Sequence, residues 1–464
     1  MPLTPPPPVR SNPFARMYDD LRLERAATVP FPPGLTRVNL RRASRFAHQP
    51  LPLLLDCYER FGPVFTIRVF HSNVVFALGP EANHLITVAQ AQNFSWRQGF
   101  MGDLIPLLGD GLLTIDGEFH RVSRKIMLPA FHHERIAAAH AIMATETHQA
   151  LDRLEVGEPF DLYRFTRELA LRIAMRALFG LDPDRARADG LNAAHEFEEA
   201  LGFWSHEYLV QILRGPGTPW RRMVRARKRL DALIFAEIDR RRASSDHGDD
   251  ILSLLVDATD EDGTTLSKRH IRDEVMTLMF AGHDTTTSTV AFLFHELAHN
   301  PGLVDDRDFD LALAIDETLR LYPPAWIGPR RSIEPFVCNG VQVPGGVPVN
   351  YCSWASHRLP DVWPEPTAFR PERFAPGNRE KLPKGAYVPF GGGSRTCIGM
   401  RFGLAEVGVI ASRILERFRL ELVSGYRLET RQMPTIGPKH GLPVVPRVAR
   451  GGVGGPEFEP ALAA

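Results

Sequence analysis

The chain has 464 residues, of which 44% are hydrophobic and 24% are charged, as in an ordinary globular protein. Its 55 Lys and Arg residues balance its 55 Asp and Glu residues, which argues against a nucleic acid partner, since such a partner requires a basic surface. Four cysteines are too few for a disulfide framework at this length, so we expect a protein of the reducing cytoplasm.

The N-terminal segment is rich in proline and charge, and we expect neither a signal peptide nor a membrane anchor there. We assign residues 1–29 to a Pro-rich arm that is extended or disordered over residues 1–12, and we begin the globular domain at residue 30. Residues 51–61 have the pattern of a short amphipathic helix. Residues 64–78 predict a β-hairpin that turns at Ser72 and Asn73.

Residues 117–128 predict a helix with His120 and Arg124 on one face, four residues apart. By themselves these two side chains indicate a solvated basic face. Further helices are predicted over residues 134–156 and 162–179.

The next stretch, residues 191–213, is rich in aromatic side chains, including Phe203 and Trp204, which by default indicate packing. A basic helix follows over residues 221–242, and its charges are expected on a solvated face.

One long helix is predicted over residues 267–299, capped by Ser267. At its middle, Phe280 is followed by Ala281-Gly282-His283-Asp284-Thr285-Thr286-Thr287. Glycine and three β-branched threonines are poor residues for a helix interior, and such a break in a local rule is typical of a functional segment. The alternative is a structurally harmless kink.

Residues 310–322 predict a largely buried helix that carries Glu317 and Arg320, three residues apart. A buried pair of charges requires further hydrogen-bonding partners. Short strands are predicted over residues 326–351, with turns at Asn339-Gly340 and at Pro344-Gly345-Gly346.

Residues 389–400 read Pro-Phe-Gly-Gly-Gly-Ser-Arg-Thr-Cys-Ile-Gly-Met, a glycine-rich loop that presents Cys397 just before a helix. Unpaired helix amides and the nearby Arg395 favour a thiolate at this position. A lone cysteine can equally be a small buried hydrophobic residue, whereas zinc lacks a second ligand at short spacing.

In this loop Phe390, Gly393, Arg395, Cys397 and Gly399 fit a Phe-x-x-Gly-x-Arg-x-Cys-x-Gly signature, and the chain thereby resembles the cytochrome P450 haem-thiolate monooxygenases of the soluble bacterial type. The resemblance spans about residues 30–448 with four motifs in the family's order. It implies a mainly α-helical fold with a smaller β-rich part (α+β) over residues 30–449, followed by a flexible tail over residues 450–464. Haem b would lie between the long central helix and the Cys-containing loop.

The resemblance also implies roles for individual residues. Cys397 would be the proximal iron ligand, and thiolate ligation favours O–O cleavage. Asp284 and Thr285 would relay protons during oxygen activation, with Ala281 and Gly282 making the space. Glu317, Arg320 and Arg373 would form a structural triad.

Other residues would bind the haem or line the substrate cavity. The expected haem contacts are Phe390, Gly391, Arg395, Gly399, Arg330, His120 and Arg124, the last three at the propionates. Arg331 is the alternative to Arg330, and His120 stands where the family usually has Trp. The expected substrate contacts are Phe203, Trp204, Phe280, Ala325, Trp326 and Ile327.

The predicted function is insertion of one oxygen atom of O₂ into an apolar organic substrate, with a lean toward a long lipid, terpenoid or carotenoid. Because no flavin or iron–sulfur domain is fused to the chain, the electrons would come from a ferredoxin and ferredoxin reductase or from a flavodoxin-type donor. Arg121, Lys125, Lys384 and Arg401 are candidates to dock an acidic ferredoxin. Two alternatives are a peroxide-using peroxygenase and a non-catalytic haem-thiolate sensor or carrier.

Overall fold

The computed structural model describes residue 6 and residues 12–185, 191–205, 208–244, 250–259, 266–433 and 435–449. The predicted tail over residues 450–464 and most of the predicted extended arm before residue 12 lie outside these ranges. The chain divides into two compact units, here called the helical unit (Met1–Pro6, Pro106–Ile315 and Ile398–Ala464) and the sheet unit (Pro7–Ile105 and Asp316–Cys397). The predicted bounds of the globular domain, residues 30–449, stay a prediction.

Helices dominate the described chain, and none of the described helices combines the length and apolar character needed to cross a bilayer. In chain order they are α1 (Pro13–Arg25), α2 (Leu40–His48), α3 (Pro50–Phe61), α4 (Pro80–His84), α5 (Ile105–Leu108), α6 (Gly117–Met127), α7 (His133–Leu151), α8 (Leu162–Ile173), α9 (Ala193–Leu201), α10 (Tyr208–Gln211), α11 (Pro219–Arg242), α12 (Ile251–Asp257), α13 (Lys268–His299), α14 (Pro301–Val304), α15 (Leu311–Leu321), α16 (Ser353–Ser356) and α17 (Met400–Arg417).

The strands form one larger mixed sheet and three small sheets. They are β1 (Gly34–Leu35), β2 (Val64–Val69), β3 (Ser72–Ala77), β4 (Phe94–Ser95), β5 (Phe160–Asp161), β6 (Gly328–Ser332), β7 (Phe336–Cys338), β8 (Val341–Val343), β9 (Pro348–Tyr351), β10 (Phe418–Leu422), β11 (Thr430–Arg431), β12 (Gly437–Pro438) and β13 (Pro443–Val448). The six-stranded sheet has the order β1-β2-β3-β9-β6-β4 and belongs to the sheet unit. In the helical unit, β10, β13 and β5 form a three-stranded sheet.

The predicted hairpin is present, but its turn lies two residues earlier than expected. Val69 pairs with Ser72, so the turn consists of Phe70 and His71, and Phe70 adopts a positive φ of 52°. Asn73 is part of β3 because Glu24 of α1 accepts hydrogen bonds from its backbone and side-chain amides at 3.1 and 2.8 Å. A tertiary contact therefore decides the position of this turn.

That contact also corrects the prediction of an arm over residues 1–29, since residues 13–25 form helix α1. Asn12 caps the helix by accepting a hydrogen bond from the Phe14 amide at 2.9 Å. Glu24 also forms an ion pair with Arg68 at 2.9 Å, and Asp20 forms one with Arg331. These ion pairs fix α1 against the rest of the sheet unit.

The long helix α13 begins as the sequence predicts, because the Ser267 side chain accepts a hydrogen bond from the His270 amide at 3.1 Å. Three of its threonines are satisfied within the helix. The hydroxyls of Thr285, Thr287 and Thr289 donate to carbonyls four residues earlier at 2.8–2.9 Å.

Helix α17 contacts α13 through a buried polar pair. The Thr286 hydroxyl donates to a Glu406 carboxylate oxygen at 2.8 Å, and Glu406 is 2% exposed. Burial raises the pKa of Glu406 to about 8, against the weaker opposing effect of the Thr286 hydrogen bond. Glu406 is therefore largely protonated near neutral pH.

Within the sheet unit, Glu317, Arg320 and Arg373 lie together. Arg320 donates to both carboxylate oxygens of Glu317 at 2.7 and 2.8 Å, and Arg373 approaches the same carboxylate at 3.3 Å. Glu317 and Arg320 are fully buried, and Arg320 also donates to the carbonyls of His357, Pro366 and Ala368. Every guanidinium direction is thus occupied, as a buried charge requires.

We expect Glu317→Gln to lower the free energy of unfolding by about 3–5 kcal/mol, because it leaves the buried Arg320 charge uncompensated. Urea unfolding at neutral pH measures this difference. The matched control is Glu416→Gln, which breaks a solvent-accessible pair with Arg413 and should cost less than about 1 kcal/mol. Equal losses in the two variants would contradict the assigned structural role.

For Glu406→Gln we predict a change in the pH dependence of stability. Between about pH 4.5 and pH 8 the folded chain keeps a proton on Glu406 that the unfolded chain releases. The stabilising contribution of protonated Glu406 to the free energy of unfolding is full below about pH 4.5 and is lost as pH rises to about 8. The wild-type free energy of unfolding should therefore fall relative to that of the Gln variant by up to about 1.4 kcal/mol per pH unit. Urea titrations from pH 5 to pH 8 measure the difference, and parallel curves would show that Glu406 is ionised in the folded chain.

Candidate functional site

The glycine-rich loop in the sheet unit packs closely against Thr87. Gly391 and Gly393 have positive φ values of 71° and 61°, a region that favours glycine. A Cβ at Gly392 would lie 2.7 Å from the Thr87 hydroxyl, and one at Gly393 would lie 2.5 Å from the Thr87 carbonyl oxygen. Only glycine allows this path at these positions.

The loop leaves the Cys397 side chain exposed. Its backbone amide donates to the Phe390 carbonyl at 2.9 Å, which closes the loop, while the thiol stays accessible. The other cysteines, Cys57, Cys338 and Cys352, are buried, and burial raises their pKa values to about 11, 12 and 12. Cys397 is therefore the one accessible thiol among the four.

Two of the arginines predicted to contact the haem lie at one aromatic ring in the same unit. The guanidinium carbon of Arg330 is 3.6 Å from the centroid of the Trp96 ring, and that of Arg395 is 5.1 Å from it. Such stacking fixes the orientation of a guanidinium. Arg330 also donates to the Pro329 carbonyl at 2.8 Å. The arrangement suits recognition of carboxylate groups.

The neighbouring Arg331 has different partners. It pairs with Asp20 of α1 and donates to the carbonyls of Gln98 and Gly346 at 3.0 and 2.8 Å. These contacts occupy its guanidinium, and the choice of Arg330 over Arg331 as the carboxylate-binding residue stays a prediction.

Helix α6 of the helical unit carries His120 and Arg124. His120 is buried and Arg124 is half-buried. Helix α6 is held against α13 by His270, whose ring stacks on Phe119 at 5.1 Å and lies 3.1 Å from the Ser123 hydroxyl. The helix is thus firmly placed, and the predicted haem contact of His120 and Arg124 stays a prediction.

The middle of α13 has an uncovered strip. Phe280, Ala281, Gly282 and Thr285 are half-buried, although the residues around them are buried. A Cβ added at Gly282 would meet no atom within 4 Å, apart from the helix's own neighbouring backbone. The strip therefore offers small apolar side chains and one hydroxyl to a ligand.

Asp284 points into a buried cluster of the helical unit. Its carboxylate accepts hydrogen bonds from Arg167 of α8 at 2.5 Å, Arg431 of β11 at 3.4 Å and the Thr435 hydroxyl at 3.0 Å. Burial alone would raise the pKa of Asp284, but the charges of Arg167 and Arg431 outweigh it and hold the pKa below its usual range. Asp284 is therefore an ionised carboxylate at neutral pH.

Arg167 serves two carboxylates at once. Besides Asp284 it contacts Glu198 of α9 at 2.9 Å, and Glu198 lies 3.0 Å from the ring of His283. Burial opposes ionisation of Glu198, but His283 and Arg167 lower its pKa to about 2. Arg167 thus connects Glu198 of α9 with Asp284, the residue before Thr285, through two ion pairs.

Several predicted substrate contacts are core residues. Phe203 and Trp204 are buried against each other at 4.5 Å, and Trp326 is buried against Trp354 at 6.0 Å. Ala325 is exposed and Ile327 half-buried. The three large aromatic residues thus pack against other rings, and their contact with substrate stays a prediction.

The sequence did not indicate the residues that surround Asp284, nor Glu406 or Trp96. Arg167 and Arg431 lie 117 and 147 residues from Asp284, so no local pattern links them. Glu406 did have a signal, because it is an acidic residue among the apolar residues of α17.

Comparison with known proteins adds independent evidence. The family model described as "Cytochrome P450" matches residues 30–306 and 311–443. The chain is 30% identical over 420 residues to the putative cytochrome P450 139 of Mycobacterium tuberculosis, with 84% of this chain and 96% of the relative covered. It is 34% identical over 349 residues to cyclooctat-9-en-7-ol 5-monooxygenase of Streptomyces melanosporofaciens, with 69% and 75% covered.

Among solved structures, the chain resembles the retinoic acid-bound cyanobacterial CYP120A1 with a TM-score of 0.79 and 26% identity. That match covers 91% of this chain and 100% of the other. Within the sheet unit, the residues also fit a haem, because an accessible thiol is a soft iron ligand and the two guanidiniums at Trp96 suit its carboxylates. Sequence, fold and donor set agree, and this chain belongs to the cytochrome P450 family of haem-dependent monooxygenases.

Proposed function

We propose that this monooxygenase hydroxylates or epoxidises a bulky apolar molecule of the lipid, terpenoid or carotenoid classes. The observation that carries the proposal is the uncovered strip on α13, because Phe280, Ala281 and Gly282 offer an apolar surface with space beside it. The names of two similar proteins support these substrate classes, since one specifies cyclooctat-9-en-7-ol and the other bound retinoic acid.

The haem supplies oxygen activation when bound, and its iron would take the Cys397 thiolate as ligand. Arg330 and Arg395, with His120 and Arg124 of α6, are the residues that would hold its carboxylates. Phe390, Gly391 and Gly399 would shape the loop around the thiolate. The exposure of the thiol and the stacking of Arg330 on Trp96 support these roles.

Thr285 and Asp284 are proposed to deliver protons to the reacting oxygen. The Thr285 hydroxyl donates to the Ala281 carbonyl at 2.8 Å, on the uncovered strip. Asp284 is ionised and therefore accepts hydrogen bonds only. It can pass on a proton only after its carboxylate receives one and loses a contact with Arg167 or Arg431.

Two other functions are weaker candidates. A peroxygenase that takes up peroxide directly does not need an acid–alcohol pair, whereas Asp284 and Thr285 are both present here. A sensor or carrier would not need an ionised acid beside the strip, since burial of such a charge is costly without a function.

The family fold implies a redox partner for the electrons, and we propose that it is a separate acidic ferredoxin with its reductase or a flavodoxin-type donor. Arg121 and Lys125 of α6 and Arg401 of α17 are exposed cations of the helical unit, and Lys384 is exposed in the sheet unit. Reduction kinetics that do not change when these residues are neutralised would contradict the docking role. We also propose a cytoplasmic location, because the four cysteines, all within the described ranges, form no disulfide.

The test of the thiolate assignment is the absorption spectrum of dithionite-reduced protein under carbon monoxide. We expect a Soret band at the long-wavelength position typical of thiolate ligation, and we expect Cys397→Ala to lose it, because no other cysteine is accessible. Cys57→Ala, which removes a buried thiol, is the matched control and should keep the band. A short-wavelength, histidine-like band in fresh wild-type protein would refute the assignment.

We expect Asp284→Asn to lower product formation by about 100-fold while electron consumption continues, because an amide cannot carry the proton. Substrate is first identified among apolar compounds by the spin-state shift of the haem spectrum. Product and hydrogen peroxide are then measured per electron pair consumed. Asp152→Asn, which removes an exposed carboxylate paired with Arg417, is the control. Unchanged coupling in Asp284→Asn would show that protons reach the haem by another route.

A further inference from the structure

The segment from residue 208 to residue 230 is unusually basic. It contains seven Lys and Arg residues and no Asp or Glu, although the whole chain has a formal net charge of zero. Two of these cations have carboxylate partners, since Arg229 contacts Glu196 at 2.7 Å and Arg227 lies 3.7 Å from Asp231. Others are exposed, and they cluster where α10 is followed by α11.

An open groove of about 400 Å³ lies at this point in the helical unit. Its lining residues are Arg214, Gly215, Pro216, Trp220, Arg221 and Arg225. The guanidinium carbon of Arg214 is 3.8 Å from the centroid of the Trp220 ring, and Arg214 also donates to the Gln211 carbonyl at 2.6 Å. One wall of the groove is therefore an oriented guanidinium on an aromatic face.

The placement of the other cations is unfavourable for the helix itself. Arg221 and Arg222 lie in the first turn of α11, which contains no acidic residue, and Arg225 is four residues after Arg221. The positive end of the helix dipole repels cations, and like charges four residues apart repel each other. Within the described part of the chain, no carboxylate forms an ion pair with Arg221, Arg222 or Arg225. A bound anion would relieve all of these repulsions.

We propose that this groove binds the phosphate group of an anionic ligand. Three guanidiniums line one concave surface, and planar guanidinium forks match the several oxygens of a phosphate better than those of a smaller, singly charged anion. The phosphate belongs either to a small soluble molecule or to the headgroup of a lipid. The groove uses none of the residues assigned to oxygen activation, so the proposal stands independently of the proposed substrate.

The test compares the wild-type holoenzyme with Arg221→Gln/Arg225→Gln, which removes two groove charges and keeps Arg214 on Trp220. Pyrophosphate is the soluble probe, and its dissociation constant is measured calorimetrically at low ionic strength. We expect the affinity to fall at least about tenfold in this variant, because two charged hydrogen-bond donors are lost. In parallel, sedimentation with vesicles of phosphatidylcholine, with and without phosphatidylglycerol, measures headgroup binding.

The matched control is Lys228→Gln/Arg240→Gln, which removes two exposed charges from the same helix outside the groove. It should bind both probes within about twofold of the wild type. Groove-dependent pyrophosphate binding assigns a soluble phosphate ligand, and groove-dependent binding to phosphatidylglycerol vesicles alone assigns a lipid headgroup. Equal losses in both variants, or binding of neither probe by the wild type, would overturn the proposal.

Discussion

Much of the helical unit depends on how a single buried carboxylate is kept charged. Asp284 lies on α13 with 2% exposure, where burial alone would protonate it. It stays ionised because guanidiniums from α8 and β11 and a hydroxyl from Thr435 converge on it. Three separate parts of the chain must therefore pack together for this charge to be tolerated.

The same cluster gives the site a second property. Arg167 divides its hydrogen bonds between Asp284 and Glu198, so a change at α9 alters the strength with which Asp284 is held. Glu406 contrasts with Asp284, because it is buried beside Thr286 without a cation and its pKa rises instead. Asp284 of α13 is therefore ionised, whereas Glu406, which contacts α13, is protonated. The difference arises because arginines neighbour Asp284 and a neutral hydroxyl neighbours Glu406.

In the sheet unit, Glu317 is also a buried carboxylate that requires partners. There a complete set of partners makes a buried ion pair a rigid structural element, with Arg320 donating to three carbonyls besides the carboxylate. The Cys397 loop of that unit is rigid for a different reason, which is the close approach of its glycines to Thr87. The arginine-lined groove beside α11 differs from both, since Arg221 and Arg225 form no ion pair with a carboxylate of the described chain.

The sequence by itself determined the features that depend on neighbouring residues. The Ser267 cap, the turn at Asn339 and Gly340 and the glycine loop before Cys397 all follow from short-range hydrogen bonding and allowed backbone angles. Family resemblance added the pairing of Glu317 with Arg320 and Arg373. Tertiary structure alone decided the turn at Phe70, the helix at residues 13–25 and the partners of Asp284. These depend on contacts between residues up to 147 positions apart, and only packing of the folded chain brings such residues together.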